Sequence, residues 1–288
     1  MPDGIVIINK PRDWTSMDVC AKLRGILHEK RVGHSGTLDP MATGVLPVFV
    51  GQATKAVRFA EGGKKEYLAG LRLGLVTDTQ DVTGTVLERR DAAVSPDALR
   101  EALPHFTGEI SQLPPMYSAI KINGRKLCDL ARKGQEVERS PRPVTIFALE
   151  LLEQTGPGDY TLRCVCSKGT YIRTLCHDLG AYLGCGGVMS SLCRTQAAGF
   201  SLEQAVTLEE VQARGAAALL PTDSLFAAYP VLLLQSEQAE TRVRHGNPIA
   251  DPAVPDGTYR VCGLDGTFLC LSRAQGGTLT SLRNFFET

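Results

Sequence analysis

The segment from Gly33 to Gly51 places the strongest constraint on how this 288-residue chain can fold. It reads GHSGTLDPMATGVLPVFVG and holds four glycines and two prolines, Pro40 and Pro47. Proline removes a backbone donor and glycine lowers helix stability, so this stretch cannot be a long helix. We predict a shaped loop here, and Asp39 is its only carboxylate.

Sequence patterns on either side of this loop predict regular elements. Thr15-Ser16-Met17-Asp18 has the form of a capping box, so a helix is expected from there to about His28. Lys65 to Leu73 alternates as a strand, and Ser95-Pro96 is a favourable helix start. Further predictions are a buried strand over Gly4–Asn9, a strand over Tyr160–Cys166, a helix from Thr170 that buries Tyr171, Leu175, Leu179 and Tyr182, and helix near Leu208–Leu220.

The last part of the chain differs in character. From about Tyr229 onward, short apolar runs are split by turn sequences such as Pro255-Asp256-Gly257 and Asp265-Gly266. This spacing is typical of short strands joined by tight turns. We therefore expect two domains, a larger one over residues 1–226 and a small β-rich one over residues 227–288.

Bulk composition narrows the class of protein. Hydrophobic residues make up 43% of the chain and charged residues 22%, as in an ordinary globular protein. There is no signal-peptide pattern and no apolar run of membrane-spanning length, so we expect a soluble, cytoplasmic protein. The nine cysteines include no C-x-x-C pair, which argues against a metal site. Cys164 and Cys166, two apart on a predicted strand, are expected to be reduced core thiols.

The formal net charge is zero, but basic residues are unevenly placed. The stretch 121–142 holds seven of them against three acidic residues. Affinity for phosphate depends on where the charge lies, so a zero net charge does not exclude RNA binding. A solvated protein face is the alternative explanation of such a run. The basic residues of the stretch are Lys121, Arg125, Lys126, Arg132, Lys133, Arg139 and Arg142.

Three residues are candidates for chemistry, each with a purely structural alternative. Asp39 precedes Pro40, which favours extended geometry, although an Asp-Pro pair also suits a turn. Arg173 lies off the buried stripe of its predicted helix, where it either supports a nearby carboxylate or makes a surface ion pair. Tyr67 places a ring on a strand face, where core packing is the alternative. Residue types alone leave these alternatives open.

Seven motifs follow one another along the chain: GIVIINKP at the start, GHSGTLDPMATGVLPV at 33–48, KEY at 65–67, TDTQD at 77–81, QLPPMYSAIK at 112–121, CSKGTYIRTLCHDLG at 166–180 and SLCRTQAAGF at 191–200. In this order they resemble the motifs of the bacterial tRNA pseudouridine-55 synthases, the TruB family of pseudouridine synthases. The resemblance covers nearly the whole chain. It implies an α+β pseudouridine synthase fold with a central mixed, largely antiparallel sheet, flanking helices, and a small β-rich PUA-type C-terminal domain.

The resemblance also implies roles for single residues. Asp39 matches the nucleophilic aspartate and Arg173 its ion-pair partner. Tyr67 matches the tyrosine that stacks on the target base, and His34 a histidine that helps hold the flipped base. Other matches are Tyr171 and Leu192 as uridine-pocket residues, a mobile RNA-binding insertion at 121–142, and RNA contacts from Lys121, Arg125, Lys126, Arg132 and Lys168.

This sequence departs from the family pattern at two cysteines. Cys128 takes the place of a tyrosine, and Cys193 the place of one arginine of an L-R-R-T pattern. Neither changes a residue matched to the site.

The expected reaction isomerises uridine-55 in the tRNA T-loop without a cofactor, metal or membrane, and the expected partner is the T-arm of tRNA. A monomer is expected, since no repeat or coiled-coil pattern suggests assembly. Two alternatives stay open at this point. One is a non-catalytic RNA-binding or RNA-folding protein, and the other is a guide-dependent pseudouridine synthase subunit.

Overall fold

The computed structural model describes residues 2–122 and 124–286. In chain order the strands are β1 (Gly4–Lys10), β2 (Val32–His34), β3 (Thr43–Val50), β4 (Lys65–Leu73), β5 (Leu75–Thr77), β6 (Val86–Arg89), β7 (Gly108–Gln112), β8 (Lys121–Ile122), β9 (Arg125–Lys126), β10 (Arg142–Gly156), β11 (Asp159–Cys166), β12 (Gly187–Ala197), β13 (Phe200–Ser201), β14 (Val231–Leu233), β15 (Ile249–Ala250), β16 (Gly257–Cys262), β17 (Phe268–Gln275) and β18 (Thr278–Asn284). The α-helices are α1 (Ser16–Leu27), α2 (Val57–Ala60), α3 (Pro96–Ala102), α4 (Leu127–Ala131), α5 (Ile172–Tyr182), α6 (Leu208–Arg214) and α7 (Glu237–Arg244). Short 3₁₀ turns occupy Gly51–Ala56, Leu103–Phe106, Leu202–Gln204, Gly215–Ala218 and Thr222–Phe226.

A large mixed sheet forms the centre of the molecule. Within the described residues it has nine strands, with the main order β1-β3-β12-β4-β11-β10-β7 and with β2 and β13 attached to β3 and β12. The contact of β3 with β12 is parallel, and the other neighbours pair antiparallel. The prediction of an α+β fold around a mixed, largely antiparallel sheet is therefore confirmed.

Alternation along β4 explains why the sheet buries one of its faces. Tyr67, Ala69, Leu71 and Leu73 are all buried, as expected from successive side chains pointing to opposite faces. They join the core that α1 and α5 complete. Burial of each large apolar side chain in such a core contributes about 1.5–3 kcal/mol.

Helix α5 seats closely on β12 because two glycines meet there. A Cβ built on Gly180 would lie 2.1 Å from the backbone nitrogen of Gly187, so a side chain at 180 would force the elements apart. This contact holds the C-terminal part of α5, the helix that carries Arg173, against the start of β12, a strand in the interior of the sheet order.

The loop predicted over Gly33–Gly51 is only partly right, because Thr43–Val50 is the strand β3. Pro47 lies inside this strand, although a proline lacks the backbone donor that strand pairing uses. The Pro47 carbonyl accepts from the Ser35 amide and therefore points away from β1. In an antiparallel strand the nitrogen of a residue points to the same side as its carbonyl, so the Pro47 nitrogen also points away from β1, beyond the last residue of β2. The missing donor therefore costs no hydrogen bond to β1, and the true loop spans only residues 35–42.

The predicted helices are present with small changes. Thr15 and Asp18 form the capping box of α1, and Ser95 caps α3 with Pro96 in its first turn. Helix α5 begins at Ile172, two residues later than expected. The prediction that it buries Tyr171 and Tyr182 was wrong: Tyr171 is half-buried. Tyr182, the last residue of the helix, is 54% exposed and packs on the surface rings of His105 and Phe106.

The C-terminal part forms a second sheet with strand order β14-β16-β17-β18-β15. The β-rich character predicted from Tyr229 is present, together with an unpredicted helix, α7, in which Val243 is buried. An aromatic cluster of Phe59, Phe226, Phe268 and Phe285 joins this sheet to the larger part. Across the residues that the structure describes, no helix has the length and apolar character needed to cross a membrane.

Candidate active site

The centre of the candidate site is an ion pair between Asp39 and Arg173. Nε of Arg173 donates to Oδ2 of Asp39 at 2.9 Å, and Nη2 donates to Oδ1 at 3.1 Å. The arginine side chain is 5% exposed, whereas the aspartate side chain is 35% exposed. A buried, permanently charged group therefore presents a carboxylate to solvent.

Further contacts hold the Arg173 guanidinium in place. Nη1 donates to the Thr79 carbonyl at 3.1 Å, and Nη2 donates to the Tyr117 carbonyl at 2.8 Å. The buried carboxylate of Asp81 lies 3.8 Å from Nε and is itself held by Thr83. These partners bring the TDTQD and QLPPMYSAIK segments against the residue that orients Asp39, which explains why those motifs accompany the Asp39 loop.

Hydrogen bonds from α1 and β1 fix the loop on either side of Asp39. The Leu38 amide donates to Oγ of Ser16 at 2.9 Å. The Pro40 carbonyl accepts from the Asp13 amide at 2.8 Å and from Nζ of Lys10 at 3.1 Å. The carboxylate thus projects from a backbone restrained immediately before and after it.

Lys10 is a residue of the site that sequence analysis missed. Its side chain is fully buried, and Nζ also donates to the carbonyls of Pro11 at 2.8 Å and Trp14 at 2.5 Å. Burial lowers the pKa of Lys10 to about 8, while the charges of Asp13 and Asp39 act in the opposite direction. A lysine at the end of a mostly apolar strand, directly before a proline, was the available sequence pattern.

Tyr67 and Leu192 lie on adjacent central strands and are each 7% exposed. In the pairing of β4 with β12, Leu192 faces Ala69 and Tyr67 faces Arg194. Burial raises the pKa of the Tyr67 hydroxyl to about 12. The ring therefore belongs to the apolar core at one edge and adjoins a buried cation at the other.

His34 and Tyr171 lie on β2 and at the N-terminus of α5, and both are half-buried. Burial, followed by the charge of Arg194, lowers the pKa of His34 and so favours the neutral imidazole. Gln112 binds both backbone groups of Tyr171, accepting from its amide at 2.9 Å and donating to its carbonyl at 3.2 Å. Burial raises the pKa of the Tyr171 hydroxyl, and the charges of Asp39 and Arg173 also act on it.

The basic residues predicted to contact RNA lie outside the ion pair. Lys121, Arg125, Arg132 and Lys168 are exposed, and the side chain of Lys126 lies outside the described residues. Arg132 is 3.7 Å from Asp129, an exposed pair of the kind that contributes little stability. Their segment is anchored through Leu127, which is buried and whose amide donates to the Ile120 carbonyl at 2.8 Å.

The fold has counterparts among solved structures. A crystal structure of a Cbf5-Nop10-Gar1 complex matches with a TM-score of 0.74 and 26% identity, covering 98% of this chain and 85% of that one. An H/ACA RNP bound to a substrate RNA containing 2′-deoxyuridine matches with the same TM-score of 0.74 and 24% identity over 99% of this chain and 85% of that one, which bears on the fold alone. The fold and the site together define a protein of the pseudouridine synthase class.

Sequence comparisons give the family. The model of the TruB family pseudouridylate synthase N-terminal domain matches residues 24–172, and that of the tRNA pseudouridylate synthase B C-terminal domain matches residues 173–227. The chain belongs to the TruB family of pseudouridylate synthases. The resemblance drawn from its motifs is confirmed.

Curated relatives named tRNA pseudouridine synthase B match over most of their length. The protein of Alkaliphilus oremlandii is 54% identical over 73% of this chain and 70% of its own. That of Clostridium kluyveri is 42% identical over 90% of this chain and 91% of its own. That of Azoarcus sp. strain BH72 is 43% identical over 98% of this chain and 94% of its own.

Proposed function

We propose that this protein is an enzyme that isomerises uridine to pseudouridine in tRNA, and that its target is uridine-55 in the T-loop. The observation that carries the proposal is the Asp39 carboxylate held by buried Arg173 in a chain of the TruB family. The relatives' shared name, tRNA pseudouridine synthase B, supports tRNA as the substrate. Position 55 and the T-arm come from the resemblance of the motifs.

The reaction defines what the site must do. The N1–C1′ bond breaks, the base turns, and C5 bonds to C1′. The proton on C5 leaves to solvent and N1 gains a proton, so the product is an isomer of the substrate. No electron donor, energy source or added atom enters this balance, which fits our expectation that no cofactor is needed.

Asp39 is the residue to which we assign the chemical step. Its carboxylate can attack C1′, attack C6 of the ring, or remove a proton at C2′, and these three routes stay open. Each requires a carboxylate aimed by a fixed partner, because preorganised orientation lowers the barrier to reaction. Arg173 supplies that partner through two hydrogen bonds.

The neighbouring residues are assigned to the flipped nucleoside. Extrusion of a base from its stack costs a few kcal/mol. Stacking of uracil on Tyr67, worth about 1–3 kcal/mol, offsets much of this cost. We further assign His34 to holding the base out of the stack, and Tyr171 and Leu192 to the walls of the uridine pocket.

RNA binding is assigned to exposed cations and to the C-terminal part. Lys121, Arg125, Lys126, Arg132 and Lys168 would contact phosphates, which position an RNA without reading its sequence. The 121–142 segment would close over the T-arm. Residues 1–226 would form the catalytic domain, and residues 227–288 a PUA-like RNA-binding domain. We place the protein in the cytoplasm as a monomer.

One assay tests the function against its alternatives. The protein alone is mixed with an unmodified tRNA transcript tritiated at uridine C5, and release of tritium to water is followed. Because C5 loses its hydrogen when it bonds to C1′, release of one tritium per tRNA supports the proposal. Binding without release would indicate a non-catalytic tRNA-binding protein. Release only after addition of a guide RNA and partner proteins would indicate a guide-dependent subunit.

Substrate position is tested with the same assay. A T-arm stem-loop and a matched stem-loop with the target uridine replaced by cytidine are compared at equal concentration. Release from the first alone supports the T-loop assignment. Release from both would place the reaction at another uridine.

A further inference from the structure

Arg194 is a buried arginine for which the proposed chemistry gives no role. Its side chain is fully buried between β3 and β4. Its Nε and Nη2 donate to backbone carbonyls, and its guanidinium also interacts with the Tyr67 hydroxyl. Burial of a charge is unfavourable unless contacts compensate, so the position of those contacts is informative.

The contacts of Arg194 lie on either side of Asp39 along the chain. Nη2 donates to the carbonyl of Gly36, inside the loop of residues 35–42, at 3.0 Å. Nε donates to the carbonyl of Val45, in β3 three residues beyond the loop, at 2.8 Å. One rigid, planar guanidinium therefore ties the first part of the Asp39 loop to the strand that follows the loop.

The backbone around Arg194 is equally close to the loop. Arg194 pairs with Gly44 in the parallel contact of β12 with β3. A Cβ on Gly44, whose φ is +97°, would lie 2.2 Å from the Arg194 carbonyl oxygen. A glycine is thus required at 44 for β3 to approach Arg194 this closely. The start of β3, directly after the Asp39 loop, is therefore held by both the main chain and the side chain of Arg194.

Arg194 also faces the residue assigned to base stacking. It lies directly opposite Tyr67 in the pairing of β4 with β12, and such pairs share a sheet face with their Cβ atoms about 4.5–5.5 Å apart. Its charge acts on Tyr67 and His34. The same side chain therefore contacts the Asp39 loop and adjoins the base-binding residues.

We propose that Arg194 is a positioning residue, which fixes the loop of Asp39 relative to Tyr67 by binding the Gly36 and Val45 carbonyls. Arg173 orients the Asp39 carboxylate, and Arg194 sets the distance between that carboxylate and the Tyr67 ring on which the base would stack. This assignment rests on the proposed function for its effect on rate. Its effect on the loop is independent of that function.

Two variants distinguish the effect of the two-point hydrogen bonding of Arg194 from the effect of its positive charge. Arg194→Lys keeps the charge and loses the two-point donor, whereas Arg194→Met keeps most of the volume and loses both. We expect the single-turnover rate to fall about a hundredfold in each, because small misplacements of reacting groups have effects of that order. The Kd for tRNA should stay within about threefold, since an unchanged affinity with a lower rate marks a loss at the transition state.

The matched control is Arg24→Lys. Nε of Arg24 donates to the Lys30 carbonyl at 3.3 Å and Nη2 donates to the Val32 carbonyl at 2.9 Å, so this half-buried arginine also binds two backbone carbonyls, but not those of the Asp39 loop. This control should retain the wild-type rate. A folded Arg194→Met protein with a rate within about threefold of wild type would overturn the proposal, as would an equal loss of rate in the Arg24 control.

Amide hydrogen exchange distinguishes a local loosening of the Asp39 loop from a general loss of stability. In Arg194→Lys, amides from residues 36–45 should exchange faster while those of β10 and β11 stay unchanged. A uniform increase across the sheet would mean that Arg194 only stabilises the fold and would overturn the proposal. If Arg194→Met does not fold, Arg194→Lys decides the question. If the wild-type protein forms no pseudouridine, the proposed function fails, but the exchange comparison still tests the positioning of the loop.

Discussion

Arg173 binds Asp39 through two parallel hydrogen bonds, Nε to Oδ2 at 2.9 Å and Nη2 to Oδ1 at 3.1 Å. Two contacts fix the rotation of a carboxylate, whereas a single contact leaves it free to turn. Two of the three remaining N–H donors of Arg173 bind the Thr79 and Tyr117 carbonyls, so the guanidinium is itself held in one orientation. The orientation of Asp39 is thus determined by residues distant in sequence.

The first prediction concerns this two-point contact. Arg173→Lys keeps the positive charge but lacks the planar fork, so one Asp39 contact and one carbonyl contact should be lost. We expect the single-turnover rate to fall by about a hundredfold or more, with tRNA affinity little changed. Quench-flow measurement of tritium release checks the rate, and filter binding checks the affinity.

The control for that variant is Arg72→Lys. Arg72 also binds a carboxylate through two hydrogen bonds, to Asp159 at 2.8 and 3.2 Å, but its side chain is 49% exposed and lies on the open face of the sheet. An exposed pair of this kind contributes about 0–1 kcal/mol, and the rate should not change. Equal rates for Arg173→Lys and wild type would contradict a role for the fork.

The second prediction removes the carboxylate. Asp39→Asn is close to isosteric and keeps an acceptor for Arg173, so the loop should stay in place. Pseudouridine formation should be lost below detection, while tRNA binding stays within about tenfold of wild type, because phosphate contacts dominate the affinity. Mass spectrometry of digested tRNA after derivatisation of pseudouridine measures the product. Turnover in this variant at even a tenth of the wild-type rate would remove Asp39 from the chemical step.

Local elements of this fold were predictable because their patterns are short-range. The capping box of α1 and the alternation of β4 depend on residues within one turn or one strand, and both are present. Strand β3 was missed because the glycines and prolines of Gly33–Gly51 led us to predict a loop. What makes that proline tolerable is the end of β2 beside it, and no local pattern shows where a neighbouring strand stops.

In the site, too, some residues were predictable from the sequence and others were not. The residues matched by family motifs were located from the sequence, including Asp39 and Arg173, which lie 134 positions apart. Lys10 and Arg194 lie in two of the quoted motifs but received no role, because their partners are backbone carbonyls up to 30 and 158 positions away. A carbonyl is present at every position, so the sequence does not mark which one a buried cation will bind.

The third prediction concerns pH and Lys10. The charged ammonium has three donors for the carbonyls of Pro11, Trp14 and Pro40, whereas the neutral amine has two. Because burial lowers the pKa of Lys10 to about 8, the rate of pseudouridine formation should fall as the pH rises through 8, since the Pro40 contact beside Asp39 weakens.

Stability should move in the opposite direction. The folded pKa of about 8 lies below the usual 10.5, so between these values the unfolded chain holds a proton that the folded protein has lost. The free energy of unfolding contributed by Lys10 therefore rises with pH across this window. Rate profiles and urea unfolding of wild type and Lys10→Met measure both effects. If Lys10→Met shows the same alkaline fall in rate as wild type, another group is responsible.

The fourth prediction concerns the exposed cations. The triple variant with Lys121→Ala, Arg125→Ala and Lys168→Ala removes charges from residues that the structure shows as exposed. Each lost phosphate contact should reduce the slope of log K against log salt by about 0.7, the single-strand value, to about 0.9, the value for duplex DNA. The full variant should therefore bind tRNA more weakly at low salt, with a slope smaller by about 2–3. A matched triple, Arg89→Ala, Arg100→Ala and Arg214→Ala, removes the same charge elsewhere on the surface. If both triples lose affinity equally, net charge and not the location of these residues governs tRNA binding.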